Sequence, residues 1–348
     1  ISRHIYRGEM PSFEETEQMV RFTTMDVILH GLFSVSTQQT IIGGFFLLNS
    51  IVDQYRITVG EADAGPGGTF ISLLLFFIFL VLPAVRHMIY YYGFKVHRQG
   101  DTIFLEHGLI RTYKTSFRIS RINAIRVKNT LASRLLRRSS IEAEVVGIGS
   151  DDGSGTTRPL ISLLANDAKT QSLLQELVPE FIYERQAEKQ PAGARRVLIT
   201  EGVIASVILI AVMAYPSLLA YDAFSGTGNG IIGALLPYAI PIVTALVVAA
   251  IAYSVSVSLK VREVDTGEEL FTFVNGILDR EAVIMSYDNV QMVHVVRGPL
   301  ARHFDVSSAQ VFLLSSMGKS MISSGLFPED RLEKIGNIVM ERAAAMKH

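Results

Sequence analysis

The chain has 348 residues, of which 49% are hydrophobic and 19% charged, and its formal net charge is −1. This composition is too apolar for an ordinary soluble protein. The near-zero net charge gives no indication of a nucleic-acid partner, and none is expected. The absence of cysteine excludes disulfides, thiolate catalysis and zinc–thiolate sites.

The first 26 residues are polar and carry an acidic run at Glu14, Glu15 and Glu17. Residues 1–26 are therefore interpreted as a linker, or as the tail of an earlier module.

Four apolar blocks follow in two pairs: Gly31–Val52, Phe70–Val85, Gly202–Tyr221 and Ile231–Leu259. The second block is the shortest, and Met88–Tyr92 extends it. Blocks of this length can cross ~30 Å of hydrocarbon as helices. We expect two transmembrane hairpins, over residues 27–92 and 197–259. Core helices of a soluble domain are the alternative, and it is strongest for the first block, which carries polar residues at positions 37–40.

The distribution of positive charge predicts the orientation of these hairpins. Arg56 is the one Lys or Arg in the two short loops between paired blocks, Asp53–Thr69 and Asp222–Gly230. By the positive-inside rule, those loops face outward and the remaining segments are cytoplasmic.

After each hairpin the helical pattern gives way to alternation of apolar and polar residues, which predicts half-buried antiparallel strands. A short crossing helix is expected near Leu131–Leu135. A helix over about residues 166–178 closes the first module, and a helix beginning at Pro328 closes the second. We expect two all-β modules, over residues 93–183 and 260–348, with a polar linker over residues 184–196.

The two modules are copies of one another. The stretch Gly108–Val146 recurs 168 residues later, beginning at Gly276, with apolar positions such as Ile122 and Val290 in correspondence. The apolar segments that precede the two stretches also repeat. The chain thus consists of two copies of one unit, each with a membrane hairpin and a soluble module.

This order of elements resembles the bacterial pleckstrin-homology-like (PH-like) domain membrane proteins of the YdbT type. The resemblance is carried by the segments Gly108–Ile110, Ile122–Ile125, Leu131–Leu136 and Ile141–Val146, with second copies that begin at Gly276, Val290, Leu300 and Ala309.

The resemblance implies a fold class of α-helical transmembrane hairpins that alternate with all-β PH-like split barrels, each capped by a C-terminal helix. It implies a multi-pass protein of the bacterial cytoplasmic (inner) membrane, with cytoplasmic PH-like domains. It also implies assembly with itself or with a single-module PH-like relative, and a role in envelope stress or antimicrobial resistance. Longer members look like three such modules, so residues 1–26 would be the remnant of a missing first one.

No pattern of catalytic residues is present, so no enzyme activity and no cofactor are predicted. The eight histidines are scattered; His294 and His303, for example, are nine residues apart with no carboxylate in metal-ligand spacing. No metal site is expected.

One stretch of the first module is unusually rich in basic residues. Between Glu106 and Glu142 the chain has no acidic residue and nine basic ones: Arg111, Lys114, Arg118, Arg121, Arg126, Lys128, Arg134, Arg137 and Arg138. The equivalent span of the second copy, residues 276–308, has three basic and four acidic residues. Three interpretations remain open: a site for anionic inner-leaflet lipid, a solvated face that follows the positive-inside rule, or a contact with an acidic protein surface.

The sequence therefore predicts a non-enzymatic membrane-anchored scaffold that binds anionic lipid, partner subunits or both. The expected partners are the lipid bilayer and sibling subunits. The alternative is a transporter or channel component whose four membrane helices form a pathway, with Gln38, Gln39 and Thr40 lining it.

Overall fold

The computed structural model of the chain describes residues 20–60, 67–146, 158–225, 236–315 and 318–345. The chain divides into two compact units. Unit 1 is Ile1–Ile182 with Ser315–Met317, and unit 2 is Tyr183–Leu314 with Gly318–His348.

Unit 1 begins with a helical segment that is broken near residue 35. Helix α1 covers Thr24–Phe33 and helix α2 covers Thr37–Thr58, and the two axes are bent by 77°. Thr23 caps α1 in a capping box with Asp26, and Ser36 caps α2 by accepting a hydrogen bond from the Gln39 backbone N–H. The second cap starts a new helix, so the first apolar block is not one straight span.

The hairpin of unit 1 is completed by helix α3, Gly67–Tyr90. Its residues Phe77–Val81 form a π-helical segment just before Pro83, which relieves the clash and the missing N–H that proline imposes on a helix. A Cβ atom on Gly43 of α2 would lie 2.9 Å from Leu80. The two helices therefore pack closely there because glycine has no side chain.

The β-strands of unit 1 form two antiparallel groups, with one short helix between strands and one closing helix. The strands are β1 (Val20–Arg21), β2 (Lys95–Gln99), β3 (Thr102–His107), β4 (Tyr113–Arg118), β5 (Ile122–Asn129), β6 (Arg138–Val145) and β7 (Leu160–Asn166), and the helices are α4 (Leu131–Leu135) and α5 (Asp167–Leu177). Strands β1 to β4 pair in chain order, and so do β5 to β7.

Strand β1 lies before the membrane hairpin in the chain and pairs with the strand that follows it, with Val20 opposite Val96 and Arg21 opposite Lys95. The hairpin is therefore inserted into the sheet between its first and second strands. The described end of residues 1–26, expected as a linker or tail, supplies this strand.

Unit 2 repeats this arrangement. Its helices are α6 (Ala192–Phe224), α7 (Ala239–Val261), α8 (Pro299–His303) and α9 (Glu329–Ala345), and its strands are β8 (Glu188–Lys189), β9 (Glu263–Thr266), β10 (Leu270–Asn275), β11 (Arg280–Ser286), β12 (Val290–Val296), β13 (Ser308–Ser315) and β14 (Gly318–Ser323). Strand β8 comes from the expected linker and pairs with β9 beyond the hairpin, as β1 does with β2.

Proline positions in the second hairpin correct one expectation. In the sequence, Pro237 and Pro241 predict a kink in the return helix. Pro237 instead lies in a 3₁₀ turn, Leu236–Tyr238, and Pro241 falls in the first turn of α7, where its missing N–H has no helical acceptor.

The 168-residue repeat extends to backbone conformation. Gly108 and Gly276 both have positive φ, 115° and 109°, and so do the non-glycine residues Arg137 and Asp305, each at 51°. Both members of each pair are 168 positions apart. Buried leucines of α5 (Leu173) and α9 (Leu332) cover the strands of their own units.

Candidate functional site

The structure distributes the nine basic residues over several elements. Four of them pair with acidic side chains: Lys114 with Glu106 at 3.8 Å, Arg126 with Glu144 at 2.8 Å, Lys128 with Glu142 at 3.5 Å, and Arg138 with Asp26 at 3.3 Å. The acids that flank the basic run in sequence therefore face it in space, and part of the surplus positive charge is neutralised.

Arg126 does not lie on a solvated face, which was one of the three interpretations of the basic run. Its side chain is 5% exposed, and its Nε donates to Oε1 of the fully buried Glu144. Arg158 donates to the same oxygen at 2.5 Å. A buried ion pair of this kind is costly to break, because removal of one partner leaves a buried charge.

Five of the basic residues are exposed: Arg111, Lys114, Arg118, Arg121 and Arg137. Arg111 lies in the loop between β3 and β4, Arg118 ends β4, Arg121 is in a 3₁₀ turn, and Arg137 follows α4. Arg134 is half-buried in α4. The run is therefore divided between a core ion pair, strand-surface ion pairs and separate exposed positions.

The loop between β3 and β4 is fastened to the end of the membrane hairpin. The backbone N–H of Gly108 donates to Tyr92 and that of Leu109 donates to Ile89, at 2.8 and 3.1 Å. The side chains of Leu109 and Ile110 nevertheless point outward, and Ile110 is 80% exposed. Two large apolar side chains are thus displayed beside the end of α3.

Helix α4 is fastened to the other side of the hairpin, at the bend between α1 and α2. The Thr130 hydroxyl donates to the Phe33 carbonyl at 2.5 Å, and the Leu131 N–H donates to the Thr37 hydroxyl at 3.0 Å. Leu135 is 87% exposed. This short helix also displays apolar side chains next to the end of a candidate membrane helix.

Helix α1 adds a third apolar stripe, formed by residues 25, 28 and 32. We refer to the exposed apolar side chains of these three elements as the membrane rim: Met25, Ile28, Leu32, Leu109, Ile110, Leu131, Leu135 and Leu136. Exposed apolar patches of this kind mark membrane or protein contacts, and an amphipathic helix such as α1 suits the plane of a bilayer interface.

A polar cavity of about 210 Å³ lies where the hairpin of unit 1 meets its strands, and we call it the junction cavity. From the helices it is lined by His30, Ser34, His87 and Tyr91. The His30 ring lies 5.1 Å from the Tyr91 ring and 6.1 Å from the His87 ring, between centroids. Nδ1 of both histidines and Oγ of Ser34 are buried without a hydrogen-bond partner.

The strand side of the junction cavity carries charge. Lys128 and Glu142, 3.5 Å apart, lie on neighbouring strands, and Arg158 lies just before β7. The cavity thus brings one of the nine expected binding residues, Lys128, together with side chains that the sequence did not single out.

Unit 2 has an apolar groove of about 500 Å³ between α6 and α7. Its lining is mostly aliphatic, as at Ile199 and Val255, with Arg195 at one end. Gln38 and Gln39, the expected lining of a transport pathway, are exposed side chains in the first turn of α2 in unit 1. Within the described ranges, no group of three or more His, Asp or Glu side chains has the geometry of a metal site.

Several titratable groups outside the membrane helices have shifted pKa values. Burial lowers the pKa of His97, which stacks on Phe104, although nearby Glu106 acts in the opposite direction. Burial also raises the pKa of Tyr183, and it raises the pKa of Tyr287 to about 12. His97 lies in β2, Tyr183 follows the first module and Tyr287 is in a 3₁₀ turn, and all three stay neutral near pH 7.

The architecture defines a class: membrane-associated proteins in which an apolar helical hairpin is combined with a split, antiparallel β-module capped by a C-terminal helix. Three helices are long and apolar enough to cross a membrane, and the bent pair α1–α2 would be a fourth span. These helices indicate membrane association, and the expected fold class is confirmed.

Residues 34–178 match the family model of the bacterial PH domain. This confirms the resemblance to bacterial PH-like domain proteins, while the YdbT type stays a prediction. The match begins between α1 and α2 and ends just after α5, so it covers the hairpin together with the strands. This family is generally non-catalytic. Neither the curated proteins nor the solved structures gave a match to the chain.

Sequence reasoning missed the junction cavity. His30, Ser34 and His87 interrupt or flank apolar blocks, and such polar residues at the ends of a hydrophobic stretch were the available signal. Their convergence on Lys128, far along the chain, is visible only once the helices and strands are placed.

Proposed function

We propose that this protein is a non-enzymatic membrane-anchored scaffold of the bacterial inner membrane, whose PH-like modules contact anionic lipid and partner subunits. The observation that carries the proposal is the membrane rim of unit 1. Its apolar side chains adjoin the ends of the hairpin helices, and they belong to elements hydrogen-bonded to those ends.

The energetics favour contact of the rim with a bilayer. Moving a fully exposed leucine or isoleucine out of water is worth roughly 1.5–3 kcal/mol, and Ile110 and Leu135 are nearly fully exposed. Arg111 and Arg137 stand beside them, and each basic side chain near an anionic leaflet adds about 1 kcal/mol of attraction. Apolar insertion and charge attraction therefore act at the same place.

The membrane helices support the second part of the proposal, assembly with copies of this chain or with a single-module PH-like relative. Only 6–11% of the most apolar window of each candidate span is buried. A side chain on Gly44 of α2 would meet open space, whereas Gly43 faces Leu80. A small residue on a free helix face permits close approach of another helix. The envelope-stress role implied by the resemblance belongs to the same proposal.

The lipid contact can be tested because the chain has no tryptophan. Ile110→Trp and Leu135→Trp each introduce a single fluorophore into the full-length protein in nanodiscs that contain brominated lipid. We expect strong quenching at both positions, and more with anionic than with zwitterionic brominated lipid at low salt. Asp101→Trp, at the opposite end of the β3–β4 hairpin, is the matched control and should be quenched little. Equal quenching at all three positions, or none, would refute the lipid contact.

The orientation can be tested with single cysteines, since the chain has none. A cysteine at Ser120, exposed in the sheet region, should be shielded from an impermeant thiol reagent in intact cells. A cysteine at Thr58, exposed at the end of α2, should react. The reverse pattern would place the PH-like modules outside the cytoplasm.

A further inference from the structure

We infer that the junction cavity of unit 1 is a binding site for a phosphate group. The site is formed by His30, Ser34 and His87 from the helices and by Lys128, Glu142 and Arg158 from the strand side. It is separate from the membrane rim, and the inference rests on the proposed membrane placement only for the source of the phosphate.

Residues that line the junction cavity carry unsatisfied polar atoms. His30 is 3% exposed, and its Nδ1 has no hydrogen-bond partner, nor has Nδ1 of His87 or Oγ of Ser34. Buried polar groups in proteins are nearly always paired, and each exception needs an explanation. Imidazole nitrogens and a hydroxyl can each donate or accept a hydrogen bond, so the oxygens of a bound phosphate are suitable partners for these groups.

The size of the junction cavity suits a small ligand. A volume of about 210 Å³ is roughly seven times the ~30 Å³ that a water molecule occupies in the liquid. It is also below the ~300–1,000 Å³ typical of sites for drug-sized ligands. The cavity suits a phosphate group with a few attached atoms, such as the glycerol or ethanolamine part of a head group.

The charge of the lining also favours an anion. The lining contains two cationic side chains, Lys128 and Arg158, against one carboxylate, Glu142, and Arg158 in addition donates to the buried Glu144. Charge-assisted hydrogen bonds from Lys and Arg to phosphate oxygens are short and strong. Glu142 can accept a hydrogen bond from a hydroxyl or ammonium group attached to the phosphate, so it selects a substituted phosphate over a bare dianion.

The junction cavity lies at the end of a candidate membrane span. His87 and Tyr91 lie at the end of α3, where the candidate span ends at Tyr90. In a membrane-inserted hairpin this is the level of the phospholipid head groups. The phosphate has two possible sources, a phospholipid head group or a soluble phosphate compound, and the site chemistry is shared by both.

The test uses the full-length protein, purified in non-ionic detergent and freed of lipid. Inorganic phosphate and glycerol 1-phosphate are titrated by calorimetry, and nanodiscs of defined phospholipid are examined by native mass spectrometry for retained lipid. We expect Lys128→Gln to weaken binding about tenfold or more. Lys114→Gln is the matched control, because Lys114 also pairs with a glutamate across neighbouring strands but lies outside the cavity; it should bind like the parent protein.

The outcomes distinguish the two sources of the phosphate and show whether the junction cavity binds phosphate at all. Binding of the soluble phosphates that is lost in Lys128→Gln supports a site for a soluble compound. Retention of phospholipid that is lost in Lys128→Gln, without binding of the soluble phosphates, supports the lipid source. No binding in either arm, or equal loss in Lys114→Gln, overturns the inference.

His87→Asn is a second variant, which removes the imidazole ring but keeps the cavity polar. Hydrogen exchange of β5–β7 verifies that each variant is folded. Failure of the tryptophan-quenching experiment at the rim would leave this result intact, because the two sites share no residue.

Discussion

In unit 1 the segment that leads into the membrane hairpin is broken into α1 and α2 at an angle of 77°, whereas the equivalent segment of unit 2 is one helix of 33 residues, α6. The break in unit 1 contains Ser34 and Ser36, and the positions 168 residues later are Gly202 and Ile204. A serine cap opens a new helix, while the apolar sequence of unit 2 continues the old one.

The residues that line the junction cavity can be compared with those of unit 2 at the same offset of 168 residues. His30, Ser34, His87, Tyr91 and Lys128 of the junction cavity correspond to Leu198, Gly202, Val255, Leu259 and Val296. Three of these, Gly202, Val255 and Leu259, line the apolar groove of unit 2. One repeated backbone thus carries a polar cavity in one copy and an apolar groove in the other, so the two units have diverged at the level of side-chain chemistry.

The largest difference between the units is expected for charge reversal on the fifth strand. Arg126→Glu would place a second carboxylate beside buried Glu144, and we expect unit 1 to lose about 3–5 kcal/mol of stability. The equivalent residue of unit 2, His294, is exposed, so His294→Glu should change stability by less than about 0.5 kcal/mol. Hydrogen–deuterium exchange over β5–β6 and β12–β13 in the full-length protein measures both. Similar protection in the two variants would contradict the core ion pair.

Substitution of the equivalent glycines, Gly108 and Gly276, should destabilise the two units to a similar extent. An alanine Cβ at Gly108 or at Gly276 would lie 1.9 Å from a backbone carbonyl oxygen, and both residues have φ above 100°. We expect each Gly→Ala substitution to cost about 1–3 kcal/mol or more in its own unit, measured as loss of exchange protection in the flanking strands. If one unit tolerated the alanine, the loops would not be equivalent.

Removal of the N-cap of α2 tests the break between α1 and α2. Ser36→Ala deletes the hydroxyl that accepts from the Gln39 N–H, and we expect the first turn of α2 to lose about 1 kcal/mol. The measurement is amide exchange at residues 37–41, with α6 as the internal reference. Thr23→Ala, which removes the cap of α1, is the matched control and should affect residues 24–28 instead.

The smallest effect expected is a pH dependence restricted to unit 1. Because burial lowers the pKa of His97 below its usual value near 6.5, the unfolded chain takes up this proton first as the pH falls. Stability of unit 1 should therefore be full above about pH 6.5 and should decline below it.

The same position in unit 2 is Asp265, so unit 2 lacks this contribution. His97→Gln should flatten the pH profile of unit 1 in chemical unfolding monitored by hydrogen exchange. An unchanged slope between pH 6.5 and 5 would exclude His97 as its source.

The sequence by itself determined the apolar blocks, the alternating strands, the helix caps and the 168-residue repeat. These features depend on residues within one turn or one strand of each other, or on similarity between two stretches, and both are readable along the chain. The helix at Asp167–Leu177, capped by Asn166, and the apolar face at Leu332 and Ile335 are examples.

The tertiary structure alone decided which of the nine basic residues remain exposed. In the sequence, Arg126 follows the same alternation as the partly exposed Lys128, but β6 places Glu144 within 2.8 Å of Arg126. The first strand of each unit likewise depends on tertiary structure, because β1 and β8 are two residues long and acquire their partners only across a membrane hairpin. The junction cavity likewise brings together residues 30, 87 and 128, which are far apart in the sequence. Burial, ion pairing and cavity lining depend on how distant segments pack, and local sequence patterns do not encode that packing.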